Sequence, residues 1–271
     1  MAAGLQQNGA QRNDVVIRVR GLVNRFDDNV VHQGLDLDVY RGEVIGVVGG
    51  SGTGKSVLLR TIIGLNEAVA GSIELLGTDM IHGSPEALRK VRQRFGVLFQ
   101  DGALFSSLTV AQNIQVPLKE FYDLPQDLLD EIAAAKLFMV GLSPDAGSKY
   151  PAELSGGMRK RAGLARALAL DPEVVFFDEP TAGLDPIGAA AFDQLVRDLQ
   201  QALGLTVFMV THDLDSLHAI CDRIAVLAEK KVLLTGPMDV MLKDKHPWVV
   251  EYFHGPRARA AAITAALDER M

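Results

Sequence analysis

The sequence predicts an α/β fold, a largely parallel buried sheet with an antiparallel β region at its start and a helical segment inserted in its middle. Three observations carry this. The stretch "VIGVVGGSGTGKSVLLRTIIGL", Val44 to Leu65, reads as an apolar strand, a glycine-dense loop and an amphipathic helix. A second apolar run, "VVFF", has the composition of a strand buried on both faces, and Asp178 and Glu179 stand at its C-terminal end. Between these two units, from Gly102 to Tyr150, the strand alternation gives way to a helical and loop-rich pattern.

Composition sets bounds on the answer. A chain of 271 residues is long enough for one large core, or for one domain carrying a smaller subdomain. A formal charge of −7 and a pI near 5.4 argue against nucleic acid as a partner, because that needs a basic face. Cys221 is alone, so no intrachain disulfide is expected and a reducing compartment fits. No run approaches the roughly 18 to 20 apolar residues that cross a bilayer. The opening "MAAGLQQNGAQRND" has no signal-peptide core. A cytosolic protein that meets the membrane through a partner is therefore expected.

Residues 1 to 13 are polar and predict a frayed terminus. "VVIRVRGL" and "LDLDV" then predict strands, and in the second Leu35, Leu37 and Val39 alternate with Asp36 and Asp38. Phe26 is expected in the loop between them. Arg41 and Gly42 make the turn into the buried strand Val44 to Val48, and in the helix after the glycine loop Leu58, Ile62 and Leu65 are expected on one packed face. "AGSIELLGTDM" predicts a turn and a short strand. Ser84 and Pro85 cap and open the helix in "SPEALRKVRQR". "FGVLFQD" is a further strand, ending at Gln100. In the inserted segment Pro117, Pro125 and Pro144 are expected to act as breaks.

After "ELSGG", Met158, Ala162, Ala165 and Ala169 recur at helical spacing. Arg159, Lys160 and Arg161 lie at the start of that helix, where the dipole disfavours cations unless an anion docks. "TVFMV" runs into Thr211 and His212, and "IAVLAEKKVLLTG" predicts a hairpin turning at Glu229 and Lys230. The apolar and aromatic residues of the tail, Trp248 and Phe253 among them, admit packing across a neighbouring subunit or docking on the chain's own domain, and a short Ala-rich helix is expected to follow.

The loop Gly49, Gly50, Ser51, Gly52, Thr53, Gly54, Lys55, Ser56 fits the phosphate-binding pattern G-x-x-x-x-G-K-[ST]. Its glycines let backbone N–H groups turn toward a phosphate, and the helix that follows aims its positive end at the same anion. Lys55 would bridge the β- and γ-phosphates, and the Ser56 hydroxyl would ligate Mg²⁺. Two adjacent carboxylates at the end of a buried strand lie where ligands bind in open α/β sheets.

In this order, the phosphate loop, Gln100, "LSGGM", "VVFFDEP", "GLD" and His212 make the chain resemble the ATP-binding subunits of ABC transporters over nearly its whole length. The resemblance implies a P-loop NTPase core of the ABC type with an antiparallel β subdomain and an inserted helical subdomain. It gives an ATPase domain over 14–247, the helical subdomain at about 102–156, a flexible terminus at 1–13 and a C-terminal extension at 248–271. It further implies that Phe26 stacks on adenine and that Gln100 touches Mg²⁺ and the attacking water. Asp178 would hold Mg²⁺ through water, Glu179 would polarise the attacking water, and His212 would contact the γ-phosphate. Ser155, Gly156 and Gly157 of a second copy would close over the nucleotide in place of an arginine finger, with Asp185 at the contact between copies.

Three departures narrow the match: Gly50 where most relatives have Pro, Val57 where they have Thr, and Met158 where Gln is usual. Together these resemble the ATPases of the Mla/Mce (mammalian cell entry) phospholipid transport systems, of the MlaF type. Implied partners are a second copy of the chain, an integral membrane permease, a small STAS-domain protein and a periplasmic lipid-binding MCE protein, with the ATPase on the cytoplasmic face of the inner membrane. Val57 lacks a hydroxyl beside the phosphates, so nucleotide affinity is the property most exposed to change. Baring two acyl chains of roughly 15 carbons each would cost on the order of 20 kcal/mol, so lipid needs an apolar conduit that this chain does not build. An ABC ATPase for another cargo is the main alternative. A non-transport ABC ATPase, which typically needs coiled coils or fused domains, is the next.

Overall fold

In a computed structural model, residues 14–255 are described; the expectations for residues 1–13 and for the Ala-rich end fall outside them. The chain opens with strands β1 (Val15–Phe26) and β2 (Asn29–Tyr40), a long antiparallel pair. Buried Leu35, Leu37 and Val39 alternate along β2 with the aspartates between them, as the period-2 pattern requires. Phe26 is the last residue of β1, not a loop residue, and it is 46 % exposed.

Past the Arg41–Gly42 turn come β3 (Val44–Gly49), buried throughout, and helix α1 (Lys55–Ile62). Leu58 and Ile62 are buried, whereas Leu65 is 61 % exposed. The helix stops at Ile62, so residue 65 no longer continues its face, and Ile63 is buried instead. Strands β4 (Ala70–Leu75) and β5 (Thr78–Asp79) complete an antiparallel sheet of order β2-β1-β4-β5. Helix α2 (Pro85–Arg92) is capped by Ser84, whose hydroxyl accepts from Ala87 N. Strand β6 (Phe95–Leu98) leads to the inserted helices α3 (Val110–Phe121) and α4 (Gln126–Met139), two short 3-10 turns, and α5 (Gly156–Ala167).

Pro117 lies inside α3 and does not end it. An interior proline costs about 3 kcal/mol, but α3 has strong local and tertiary support. Thr109 and Gln112 form a reciprocal capping box, and buried Asn113, Ile114 and Leu118 face the core. Asn113 Nδ2 also donates to the carbonyls of Phe105, Leu108 and Thr109. Pro125 and Pro144, by contrast, stand at element starts.

The second half alternates strand and helix: β7 (Val174–Asp178), α6 (Pro186–Leu203), β8 (Thr206–Val210) and α7 (Leu214–Ile220). The hairpin β9 (Arg223–Ala228) and β10 (Lys231–Gly236) follows, then α8 (Met238–Lys243) and α9 (Pro247–His254). The six-stranded sheet has order β10-β9-β3-β8-β7-β6, with every pairing parallel except that of edge strand β10 on β9. Gln33 N donates to Lys230 O at 2.9 Å and so joins the two sheets. Helix α9 docks on its own domain: Val249 and Phe253 share a buried cluster with Val48, Leu217, Ile224, Val226 and Met241.

Candidate functional site

Register does the assembly. Gly49 of β3 pairs with Leu227, Val47 with Val210 of β8, and Val210 with Asp178 of β7. The C-terminal ends of three neighbouring parallel strands therefore finish together, and the loops leaving them lie side by side. Those loops carry the glycine cradle, the Asp178–Glu179 pair and Thr211–His212.

The cradle requires glycine at two places. A Cβ on Gly49 would stand 2.5 Å from Leu227 O, and one on Gly54 would stand 2.4 Å from Val31 Cγ1 and 2.6 Å from His32 Nε2. Gly54 also has φ +92°, which L side chains rarely adopt. Thr53 Oγ1 donates to Gly50 O at 2.9 Å, closing the loop on itself, while Ser51 and Gly52 are exposed. Lys55 Nζ donates to the carbonyls of Gly49 (2.9 Å) and Gly50 (3.1 Å), so its ammonium already lies across the mouth of the loop. Burial holds its pKa below the ordinary lysine value, opposed by the charges of Glu179 and Asp178. No side chain caps α1, which leaves its first N–H groups for an anion; Val57 is half-buried in the first turn.

Ser56 Oγ donates to Asp178 Oδ1 at 2.8 Å, and Asp178 is 5 % exposed. A hydroxyl beside one buried carboxylate is an all-oxygen donor pair suited to Mg²⁺, which takes few protein ligands and completes its shell with phosphate and water. Among the described residues no cluster of three or more His, Cys, Asp or Glu side chains could hold a metal ion. Glu179 has φ +53°, a left-handed conformation costly for a non-glycine residue. Two bonds pin it: Glu179 N donates to Val210 O at 2.8 Å, and Lys160 Nζ donates to Glu179 O at 3.1 Å. His212 Nδ1 lies 2.7 Å from Glu179 Oε2. An ionised carboxylate can only accept, so Nδ1 carries the hydrogen of that contact.

Lys160 is the residue the sequence did not single out for this role. Next to Arg159 and Arg161 it reads only as a cation that the helix dipole disfavours unless an anion docks; in the structure all three cations donate to carbonyls of their own chain. Arg159 reaches Leu154 O, Arg161 reaches Val140 O, and Lys160 reaches the carbonyls of both Gln100 and Glu179. Lys160 is 5 % exposed and its ammonium pKa is lowered by burial. Only the spacing "SGGMRK", which places residue 160 one turn into α5 and facing the sheet, hinted at it.

The other expected residues stand around this centre. Gln100 is exposed just past β6, and Phe26 is exposed at the end of the antiparallel sheet. Ser155 caps α5, its hydroxyl accepting from Met158 N, and Gly156 and Gly157 open that helix close to Leu184. Asp185 caps α6 through Gly188 N at 2.8 Å. Among the described residues, the hydrogen bonds that knit the central cluster do not include Ser155, Gly156, Gly157 or Asp185. A cavity of about 350 Å³ beside His212 is lined by Thr181, Gly183, Leu184, Asp213 and Asp215 among others. The larger cavity, about 470 Å³, lies between α3 and α4 and shares no residue with the site.

A glycine cradle at a bare helix start, a hydroxyl–carboxylate pair and a carboxylate–imidazole pair together are the equipment of a nucleoside-triphosphate hydrolase. The family model described as "ABC transporter" matches residues 32–182. The chain belongs to that family, as an ATP-binding subunit and an ATPase. It is 40 % identical over 267 residues to the probable ribonucleotide transport ATP-binding protein mkl of Mycobacterium leprae, covering 98 % of this chain and 77 % of that one. To the intermembrane phospholipid transport system ATP-binding protein MlaF of Haemophilus influenzae it is 38 % identical over 243 residues, 90 % of this chain and 92 % of that one. Among solved structures, the dimeric ATP-binding cassette MJ0796, in a post-hydrolysis state bound to ADP and Pi, superposes with a TM-score of 0.74. The identity is 27 %, with 82 % of this chain and 98 % of that chain covered. Among the described residues no helix is long and apolar enough to cross a membrane.

Proposed function

We propose that this chain is the motor subunit of an ABC transporter that moves phospholipids between membranes and so maintains outer-membrane lipid asymmetry. It works as a pair of copies on the cytoplasmic face of the inner membrane. The observation that carries the motor's chemistry is the alignment of three strand ends, which gathers Lys55, Ser56, Asp178, Glu179 and His212. The MlaF likeness, extending over nearly the whole of both chains, supports the cargo.

In this reading Lys55 exchanges the carbonyls of Gly49 and Gly50 for β- and γ-phosphate oxygens, alongside the N–H groups of Gly52, Gly54 and Ser56. Phe26 stacks on the adenine. Ser56, Asp178 through water, and Gln100 would hold Mg²⁺, which would supply charge neutralisation on the phosphate oxygens. Glu179 keeps one carboxylate oxygen on His212 and offers the other to water, accepting its proton as the water attacks in line. His212 contacts the γ-phosphate. Ser155, Gly156 and Gly157 of the second copy present a helix start to the same phosphate, with Asp185 near the seam, so two copies make two complete sites. The dimer of the MJ0796 cassette supports that pairing. An integral permease provides the apolar conduit, a STAS-domain protein binds the ATPase, and an MCE protein carries lipid in the periplasm.

Glu179→Gln keeps the shape and loses the base. Turnover should fall about 100-fold or more, with ATP retained between two chains on a sizing column; unchanged turnover would refute Glu179 as the base. A second cargo class, a soluble nutrient, is favoured by the ribonucleotide name of the mkl relative. Copurification with the membrane complex decides between them: an MCE protein supports lipid, and a solute-binding protein for a polar nutrient overturns it.

A further inference from the structure

Helix α9 reaches two loops of the nucleotide site at once. Trp248 and Tyr252, one turn apart, stack with ring centroids 4.8 Å apart and planes 16° from parallel. The Tyr252 hydroxyl donates to His212 O at 3.2 Å. The Trp248 indole Nε1 lies 3.6 Å from where a Cβ on Gly50 would stand, so the indole faces that side of the phosphate loop. Beneath this pair, Val249 and Phe253 are buried against Val48, the penultimate residue of the strand that feeds the phosphate loop.

We infer that Trp248 and Tyr252 are positioning residues of the ATPase site, with helix α9 fixing the phosphate loop and the His212 loop relative to each other. The inference rests on the assignment of His212 to the γ-phosphate. Three physical points support it. A phenol bonded to a backbone carbonyl constrains the peptide that aims the imidazole without touching the imidazole itself. Burial first, and then the carboxylates of Glu179 and Asp213, raises the Tyr252 pKa, so the hydroxyl keeps its proton and stays a donor. Finally, the indole is anchored through its stacked neighbour to a buried helix and faces the side of Gly50 where a side chain would stand. Nucleotide that orders the cradle should therefore change the surroundings of the indole.

Trp248 is the only tryptophan in the sequence, so the contact carries its own reporter. In the full-length chain, titration with Mg·ATP should change the intrinsic tryptophan emission saturably, and Lys55→Ala should abolish the change. Emission unmoved at saturating ATP, with binding established independently by a labelled nucleotide, overturns the Trp248 contact. For Tyr252 the variant is Tyr252→Phe, which keeps the ring and the stack. Steady-state hydrolysis by the full-length protein with its membrane partners should show kcat lowered about three- to tenfold, with KM for ATP within about twofold of the parent and an unchanged melting midpoint. His212→Ala should lower kcat further, and adding Tyr252→Phe to it should change nothing more, because the hydroxyl acts through that imidazole.

The two assignments fail differently. If His212→Ala leaves kcat intact, the γ-phosphate role falls and the Tyr252 inference falls with it. If His212→Ala lowers kcat but Tyr252→Phe leaves it unchanged, alters KM alone, or adds independently in the double variant, only the positioning role is overturned.

Discussion

At the scale of single residues, the site is held by a few charged groups bonded to backbone. Lys160 is the plainest case: one buried ammonium secures the carbonyls of Gln100 and Glu179, and with them the peptide units on two neighbouring strand ends. Lys160→Met keeps the length and removes the donor. Each abandoned carbonyl then loses a charge-assisted bond of about 1.5 to 3 kcal/mol, and kcat should fall tenfold or more with little change in ATP affinity, measured by steady-state hydrolysis and nucleotide titration. The phosphate-loop lysine, the serine and the two strand-end carboxylates were all legible in the sequence, because their spacing is local and each follows a strand of unmistakable apolarity. Lys160 was not. A cation at a helix start reads as exposed until the partner of that helix is known, and the two carbonyls that satisfy it come from segments 60 residues before and 19 residues after it.

Among elements, the strands and the hairpin turn at Glu229 and Lys230 followed their patterns closely. The exceptions have physical causes. Pro117 breaks a helix that must stand on propensity alone, but α3 is capped at Thr109 and pressed into the core along Ile114 and Leu118. Leu65 fitted a helical face that ends three residues too early to include it. The contact between α6 and α7 holds a pH-sensitive pair that no spacing revealed. Ser216 Oγ donates to Asp193 Oδ2 at 2.7 Å, while Asp193 Oδ1 is buried with no hydrogen-bond partner. Burial pushes the Asp193 pKa up to about 7 from 3.8. The folded protein thus binds this proton more tightly than the unfolded chain. Its contribution to stability is full below about pH 4, declines as pH rises toward 7, and is level above. Asp193→Asn should flatten the fall in melting midpoint between pH 5 and pH 7 relative to the parent, as followed by thermal unfolding in matched buffers.

For the whole molecule, two sheets share one frame through the Gln33–Lys230 bond, and the C-terminal helix closes a third core cluster over the strand beneath the phosphate loop. The tail beyond the last strand showed its apolar residues in sequence but not their destination, since both a neighbouring subunit and its own domain would bury them equally well. Residues 248–255 choose their own domain. Deleting 248–271 should therefore destabilise the chain even when no second copy is engaged. Losing Val249 and Phe253 removes about 3 to 6 kcal/mol of apolar burial, before the ordering entropy of the segment is set against it. Chemical denaturation of the truncated chain at low protein concentration measures this.

The left-handed backbone at Glu179 gives the hydrolase an internal tension between durability and speed. Every side chain placed there inherits the same unfavourable dihedral except glycine, so Glu179→Gly should melt higher than Glu179→Ala, a difference of about 1 kcal/mol, while under the proposed base role both should lose turnover. A chain selected only to endure heat would drift toward glycine at that position; under the proposed role of Glu179 as the base, the acid is what cleaving the nucleotide requires.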